Sequence, residues 1–304
     1  MDELIDLITK RVVDRLKQDG VLDKIVENLD ASSGSCVIGD ADCINCGHCA
    51  VEQPEAVKNI LAGGADRIGS KTGIDGGKVD RSLASIIDHT LLKPDASREE
   101  LLKICEEAKQ FSFATVCVNS SNIPLVVRQL RGSPVKAIAV VGFPLGAGTS
   151  QAKAFEAKEA IRSGAEEIDM VINIGALKSN DYKLVYDDIK AVVEAAKPHK
   201  VKVIIETAKL NTDEKITACT LAKTAGAAFV KTSTGFGGGG ATVEDIALMK
   251  RVVGSDMEVK ASGGIRTTED AQKMVAAGAD RIGASASVAI VTGPAGSQRR
   301  AFIE

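Results

Sequence analysis

The sequence predicts an α/β fold: a (β/α)8 TIM barrel preceded by an N-terminal helical and cysteine-rich extension. Three observations carry that prediction. From Arg81 onward, short apolar runs alternate with longer stretches of helical periodicity. Gly164-Ala165, Gly226-Ala227 and Gly278-Ala279 each stand where a helical stretch gives way to an apolar run, and glycine fits the left-handed cap that a short helix-to-strand loop requires. Eight such runs fall within roughly 220 residues, which suits a closed barrel better than an open doubly wound sheet.

The strands expected are 86–87, 114–118, 137–141, 167–172, 201–205, 228–231, 258–261 and 281–283. Their near-continuous apolar character marks a parallel sheet buried on both faces. Helices are expected over 98–109, 150–162, 183–196, 212–224, 242–253 and 268–277. Ahead of the barrel, Leu4, Ile5, Ile8, Val12 and Leu16 recur at helical spacing among Lys10, Arg11, Asp14 and Arg15, which predicts an amphipathic helix. Gly20 breaks it, and Leu22, Ile25, Val26 and Leu29 form a second short stripe. Such a helix either packs on its own domain or a sister subunit, or serves as an address. On the flexible tether Ala31-Ser-Ser-Gly-Ser35 it resembles the targeting peptides that carry enzymes into bacterial microcompartments, so a microcompartment shell is a candidate partner. The divisions expected are an amphipathic segment over 1–30, a cysteine-containing extension and linker over 31–79, and the barrel over 80–304.

Bulk composition excludes several classes. A net charge of −3 provides no basic field for nucleic acid or anionic membrane. Aromatic residues make up 3% with no Trp, too few for base stacking. No apolar run approaches the roughly 20 residues of a membrane span, and no secretory signal pattern opens the chain. Seven cysteines, an odd number spread over 304 residues, do not read as a disulfide scaffold. A reducing cytoplasm is the expected compartment.

The extension has its own chemistry. Cys43, Cys46 and Cys49 stand at C-x2-C-x2-C spacing, and three thiols so spaced can converge on an iron–sulfur cluster or zinc. The run resembles one cluster motif of bacterial ferredoxins, in which a fourth cysteine stands directly before the proline. Here Gln53 occupies that place before Pro54. Cys36 is the candidate fourth ligand, and His48 another that suits zinc better. Cluster, zinc and bare reduced thiols all stay open.

Several barrel strands end in an out-of-pattern polar group: Asp88, His89 and Thr90; Cys117 and Asn119; Asp169 and Asn173; Glu206 and Thr207; Lys231; Lys260. In a barrel these converge at one mouth. Lys231 follows Phe229-Val230 and opens into Thr-Ser-Thr-Gly235, Phe236 and four glycines. A lysine there either snorkels to water or is an amine of depressed pKa able to attack a carbonyl. Asp169, between Ile168 and Met170, is costly to bury unpaired. Facing both Lys231 and Lys260 it leaves positive charge in excess, which favours a neutral amine over a purely structural ion pair. The glycine-rich Ser262-Gly-Gly-Ile-Arg266 and Gly283-Ala-Ser-Ala-Ser287 follow the last two strands, where such barrels commonly hold phosphate.

The motifs Ile87-Asp-His-Thr-Leu-Leu-Lys-Pro94, Val116-Cys-Val-Asn119, Glu167-Ile-Asp-Met-Val-Ile-Asn173, Val203-Ile-Ile-Glu-Thr207, Phe229-Val-Lys-Thr-Ser-Thr-Gly235 and Lys260-Ala-Ser-Gly-Gly-Ile-Arg266 together resemble the deoxyribose-phosphate aldolase family. The likeness runs from about Arg81 to Val291 in the family's order. It implies a class I aldolase that cleaves 2-deoxy-D-ribose 5-phosphate to glyceraldehyde 3-phosphate and acetaldehyde, with no cofactor for that reaction. By the resemblance Lys231 forms the Schiff base, Lys260 perturbs its pKa, and Asp169 works with a bound water in proton transfer. Asp88 and Thr90 line the site, Cys117 and Asn119 contact substrate, and Gly235, Gly263, Gly264, Arg266, Gly283 and Ser285 surround the phosphate. The expected partners are a phosphorylated sugar and further copies of the same chain, with no nucleic acid and no membrane. Two departures stand out. Some family members end in a tyrosine that reaches the site, whereas this sequence ends Arg300-Ala-Phe-Ile-Glu304, and Phe302 has no hydroxyl. The first 80 or so residues lie outside the family's core.

Overall fold

Eight parallel strands close on themselves in sequence order: β1 (Ile87–Leu91), β2 (Thr115–Asn119), β3 (Lys136–Val141), β4 (Glu167–Val171), β5 (Lys200–Ile204), β6 (Phe229–Lys231), β7 (Glu258–Ser262) and β8 (Arg281–Ala284). Closure is made by β1 and β8, with His89 beside Ala284. The chain is seen here as a computed structural model that describes residues 1–21 and 79–293. The expectations for Cys36, Cys43, Cys46 and Cys49, for the linker and for Phe302 fall outside those residues. All eight expected strands form.

Helices follow the strands because capping and periodicity agree. Among the described helices, α1 is Asp2–Gln18, α2 Arg81–Ala84, α3 Arg98–Phe111, α4 Ile123–Leu130, α5 Ser150–Arg162, α6 Ile174–Lys178, α7 Tyr182–Ala196, α8 Thr212–Thr224, α9 Val243–Val253, α10 Thr268–Ala276 and α11 Ser287–Thr292. Three start with reciprocal capping boxes, Ser97 with Glu100, Asn211 with Glu214, and Thr267 with Asp270, each satisfying otherwise orphaned amides of the first turn. Gly164, Gly226 and Gly278 adopt φ of +102°, +85° and +110°, the left-handed turn from helix to strand that the glycine–alanine pairs predicted. Helices α2, α4, α6 and α11 were not anticipated; α4 begins Ile-Pro and is short, so it offers little periodicity to read.

Helix α1 belongs to the same compact unit as the barrel. Its Ile5, Ile8, Val12 and Leu16 are buried, and it lies across α8 and α7. The hydroxyls of Thr9 and Thr220 approach to 3.4 Å, Arg11 faces Asp213 at 3.8 Å, and Asp2 pairs with Arg251. Helix α8 has an unbroken buried run from Ile216 to Ala222, as a helix covered on two sides must. Of the two readings of the N-terminal stripe, the structure shows the first: it packs on its own domain.

Candidate active site

Register along the strands stacks a charged chamber inside the barrel. Asp169 on β4 lies beside Lys202 on β5, Lys231 on β6 beside Lys260 on β7, and Lys260 beside Arg281 on β8. Asp169 Oδ2 accepts from Lys231 Nζ at 2.8 Å and from Lys260 Nζ at 2.7 Å. Its Oδ1 accepts from Lys202 Nζ at 3.0 Å. Lys260 Nζ also lies 2.5 Å from Asp88 Oδ2, while Asp88 Oδ1 accepts from Arg281 Nη1 at 2.8 Å and Thr115 Oγ1 at 2.7 Å. Below them Glu167 pairs with Lys202, and Lys202 and Arg281 flank the Phe229 ring at 5.4 and 5.6 Å. The expected trio of Lys231, Asp169 and Lys260 is therefore brought together, with Asp88 as a second carboxylate.

The chamber holds four cationic side chains, Lys202, Lys231, Lys260 and Arg281, against three carboxylates, Asp88, Glu167 and Asp169. One positive charge is in excess unless one amine gives up its proton. Burial lowers the Lys231 pKa, and the Lys260 ammonium adds to that, outweighing the opposing pull of Asp169. Burial would lower Lys260 as well, but Asp169 and Asp88 together raise it above the ordinary lysine value. Lys202 is likewise raised against burial by Asp169 and Asp88. Burial would raise Asp88, yet Lys260, Lys202 and Arg281 hold it at about 2. The amine that deprotonates most readily is thus Lys231.

Above the chamber opens a cavity of about 310 Å³, of the size that holds a small ligand. Among the chamber's lysines, Lys231 reaches its wall, joined by Thr90; Asp169, Lys260 and Asp88 lie beneath. Gly235, Gly263, Gly264, Arg266, Gly283 and Ser285 also line the cavity. Gly263 and Gly264 take φ of +89° and +80°, a left-handed pair that a side chain would strain. A Cβ on Gly283 would stand 2.2 Å from Ser262 Oγ and 2.9 Å from Lys260 Cε, so glycine is needed where the anion-facing turn touches the chamber. Backbone amides, serine and Arg266 make this wall suited to an anion. Lys93, within the Ile87–Pro94 motif, lines it too and adds to the expected set.

Three residues expected at the substrate are not in the cavity wall: Asp88, which faces Lys260 and Arg281 in the chamber beneath, and Cys117 and Asn119. Cys117 is fully buried among Leu92, Ile138 and Val140, and burial pushes its thiol up to about 11. Asn119 turns its Nδ2 to the Leu92 carbonyl at 3.4 Å. Leu92, which does line the cavity, covers that side of the barrel. Glu206 sits at φ +57°, and its carboxylate accepts from the Thr234 hydroxyl at 2.5 Å and from the Thr234 amide. It holds the loop after β6 rather than facing the cavity. The expected metal ligands Cys36, Cys43, Cys46 and Cys49 lie outside the described residues, and among the described residues no cluster of metal-ligating side chains occurs.

A (β/α)8 barrel with a buried amine at its mouth, backed by a carboxylate and a second ammonium and roofed by an anion-binding wall, has the equipment of an enzyme that works through an amine nucleophile. Comparison with known proteins agrees. Residues 82–296 match the DeoC/LacD family aldolase model. A deoxyribose-phosphate aldolase from Streptococcus sanguinis is 61% identical over 211 residues, 69% of this chain and 96% of its own length. One from Halalkalibacterium halodurans is 59% identical over 217 residues, 71% of this chain and 97% of its own length. The tetrameric deoxyribose phosphate aldolase of Aeropyrum pernix superposes with a TM-score of 0.66 at 31% identity, covering 81% of this chain and 99% of that one. The chain belongs to the DeoC/LacD aldolase family, and the enzyme is an aldolase, a carbon–carbon lyase.

Proposed function

We propose that this enzyme reversibly cleaves 2-deoxy-D-ribose 5-phosphate to D-glyceraldehyde 3-phosphate and acetaldehyde, with Lys231 as the Schiff-base lysine. The observation that carries the reading is one carboxylate oxygen shared by two lysines, of which only Lys231 opens on the cavity with the glycine-rich wall. The neutral Lys231 amine adds to the C1 aldehyde of the open-chain sugar and water leaves, giving a protonated imine. Loss of the C3 hydroxyl proton then breaks the C2–C3 bond, and the electron pair moves into the imine to form an enamine. Glyceraldehyde 3-phosphate departs, C2 is protonated, and hydrolysis frees acetaldehyde and Lys231. Asp169, through a water, is the group that carries protons at the imine. Thr90 holds the sugar hydroxyls, and the glycine wall with Arg266 and Ser285 holds the phosphate. Asp88 acts from below through Lys260, and Cys117 and Asn119 shape the cavity behind Leu92.

The test is a coupled assay of deoxyribose 5-phosphate cleavage, with borohydride reduction in the presence of substrate. Cleavage and a trapped adduct on Lys231 are expected; a folded wild-type protein that gives neither overturns the reading.

Three further assignments go with it. The tetrameric Aeropyrum pernix relative supports a homo-oligomer here, which light scattering checks. Cys43, Cys46 and Cys49 with Cys36 are proposed to hold an iron–sulfur cluster or zinc, separable by the absorption spectrum of anaerobically purified protein and by metal analysis. Delivery to a microcompartment shell by the N-terminal helix requires its stripe to leave α8; the seated stripe supports a packing role first, and co-assembly with purified shell protein discriminates.

A further inference from the structure

Behind the anion-facing turn lies a polar relay that the aldol step does not use. His89, the β1 residue between Asp88 and Thr90, points away from the chamber and is buried. Its Nε2 lies 2.8 Å from Glu107 Oε2 on α3, and its Nδ1 lies 2.9 Å from Ser287 Oγ at the start of α11. The Ser287 hydroxyl is also 2.9 Å from the Ala284 carbonyl. Phe113 closes the side of the ring at 5.1 Å, and Lys103 stands beyond Glu107, 3.8 Å from it.

A carboxylate only accepts hydrogen bonds, so the proton on the imidazole sits on Nε2, and Nδ1 faces the serine as an acceptor. The single Ser287 hydroxyl proton has two acceptors in reach, Nδ1 and the Ala284 carbonyl, and serves one at a time, so Ser287 lies in short contact with both β1 and the start of the turn 284–287. That turn supplies Ala284 and Ser285 to the cavity wall. We propose that His89 and Ser287, oriented by Glu107, are positioning residues that hold the turn Gly283–Ser287 in the shape that grips the substrate's phosphate. This rests on the reading above that the glycine wall is the phosphate subsite. Neither residue touches the cavity, so their action is on phosphate affinity and not on imine chemistry.

Ser287→Ala and His89→Gln, with Ser287→Thr as the variant that keeps the hydroxyl, test it in steady-state kinetics with deoxyribose 5-phosphate and with unphosphorylated 2-deoxyribose. Losing the tether is expected to raise KM for the 5-phosphate about tenfold while kcat falls less than about twofold. The preference for the phosphorylated sugar over the unphosphorylated one should shrink about tenfold, and Ser287→Thr should recover most of it. Equal losses on both sugars, or no change in KM, overturn the proposal. If wild-type protein cleaves neither sugar, the aldolase reading fails separately. Calorimetry with inorganic phosphate then decides this one: affinity weakened about tenfold in Ser287→Ala supports it, and unchanged affinity sinks it.

Discussion

Replacing Lys260 by methionine tests the charge logic of the chamber most directly. Lys231 and Lys260 touch the same oxygen of Asp169, at 2.8 and 2.7 Å, so their nitrogens are close neighbours. Two unit charges about 5 Å apart at an effective dielectric of about 20 repel by about 3 kcal/mol, a hundredfold or so in the protonation equilibrium of Lys231. Methionine removes that repulsion and leaves three cations facing three carboxylates. Lys231 then keeps its proton. Asp88 retains Arg281, and Asp169 retains Lys202 and Lys231, so no carboxylate is orphaned and the barrel should fold. The sign follows: Lys231 is lowered in the wild type, its pKa rises in Lys260→Met, and the reactive amine appears only at higher pH. Cleavage of deoxyribose 5-phosphate at pH 7 should fall about a hundredfold in kcat/KM. The acid limb of the pH profile should move to higher pH, with activity returning as pH rises through the new Lys231 value. The rate of borohydride trapping on Lys231 should follow the same limb. A loss of equal size at every pH from 6 to 10 would refute the reasoning, because Lys260 would then act otherwise than through the charge of Lys231.

Other outcomes follow from the geometry. Gly283→Ala pushes a methyl against Ser262 Oγ and Lys260 Cε, and should cost about tenfold in kcat/KM from a shift of well under 1 Å at the ammonium. Ile8→Ala opens a hole between α1 and α8, where Ile8 is fully buried. A cost of about 2–4 kcal/mol should lower Tm by roughly 5–15 °C in calorimetry, with kcat unchanged at 25 °C. Cys117, fully buried with its thiol near 11, should resist iodoacetamide at pH 8 in native protein and react on unfolding. Peptide mass spectrometry reads the difference, and rapid native labelling would contradict the packing of Leu92 over it.

The barrel was legible because each strand carries its own signal. Apolar runs, capping boxes such as Ser97 with Glu100, and glycines at helix ends act locally, so their effect survives without knowledge of the partner strand. Lys231, Asp169 and Lys260 were legible because each interrupts such a run. Lys202 was missed for the opposite reason. In Val201-Lys202-Val203 the lysine alternates with valines, as it does on a strand with one wet face, and only closure of the barrel turns that face into the chamber. Cys117 and Asn119 differ in the other direction. Their place near the end of β2 suggested the mouth, but Leu92, from a different loop, folds over them. The covering of α8 by α1 was hidden because Thr217 and Thr220 interleave with Ile216, Ala218, Cys219 and Leu221 in its buried run, leaving no apolar stripe in its own sequence to name what lies outside it.

Four basic groups against three acids also bears on which molecules the enzyme handles well. As the proposed Schiff-base lysine, Lys231 would become an iminium, and the interior that was neutral would acquire a full unit of positive charge in a buried setting. A phosphate at the proposed glycine-wall subsite would bring a compensating negative field to the same mouth at the moment the cation forms. On that proposal phosphorylated sugars would stabilise the very intermediate they pass through, whereas a small uncharged aldehyde would form it unaided.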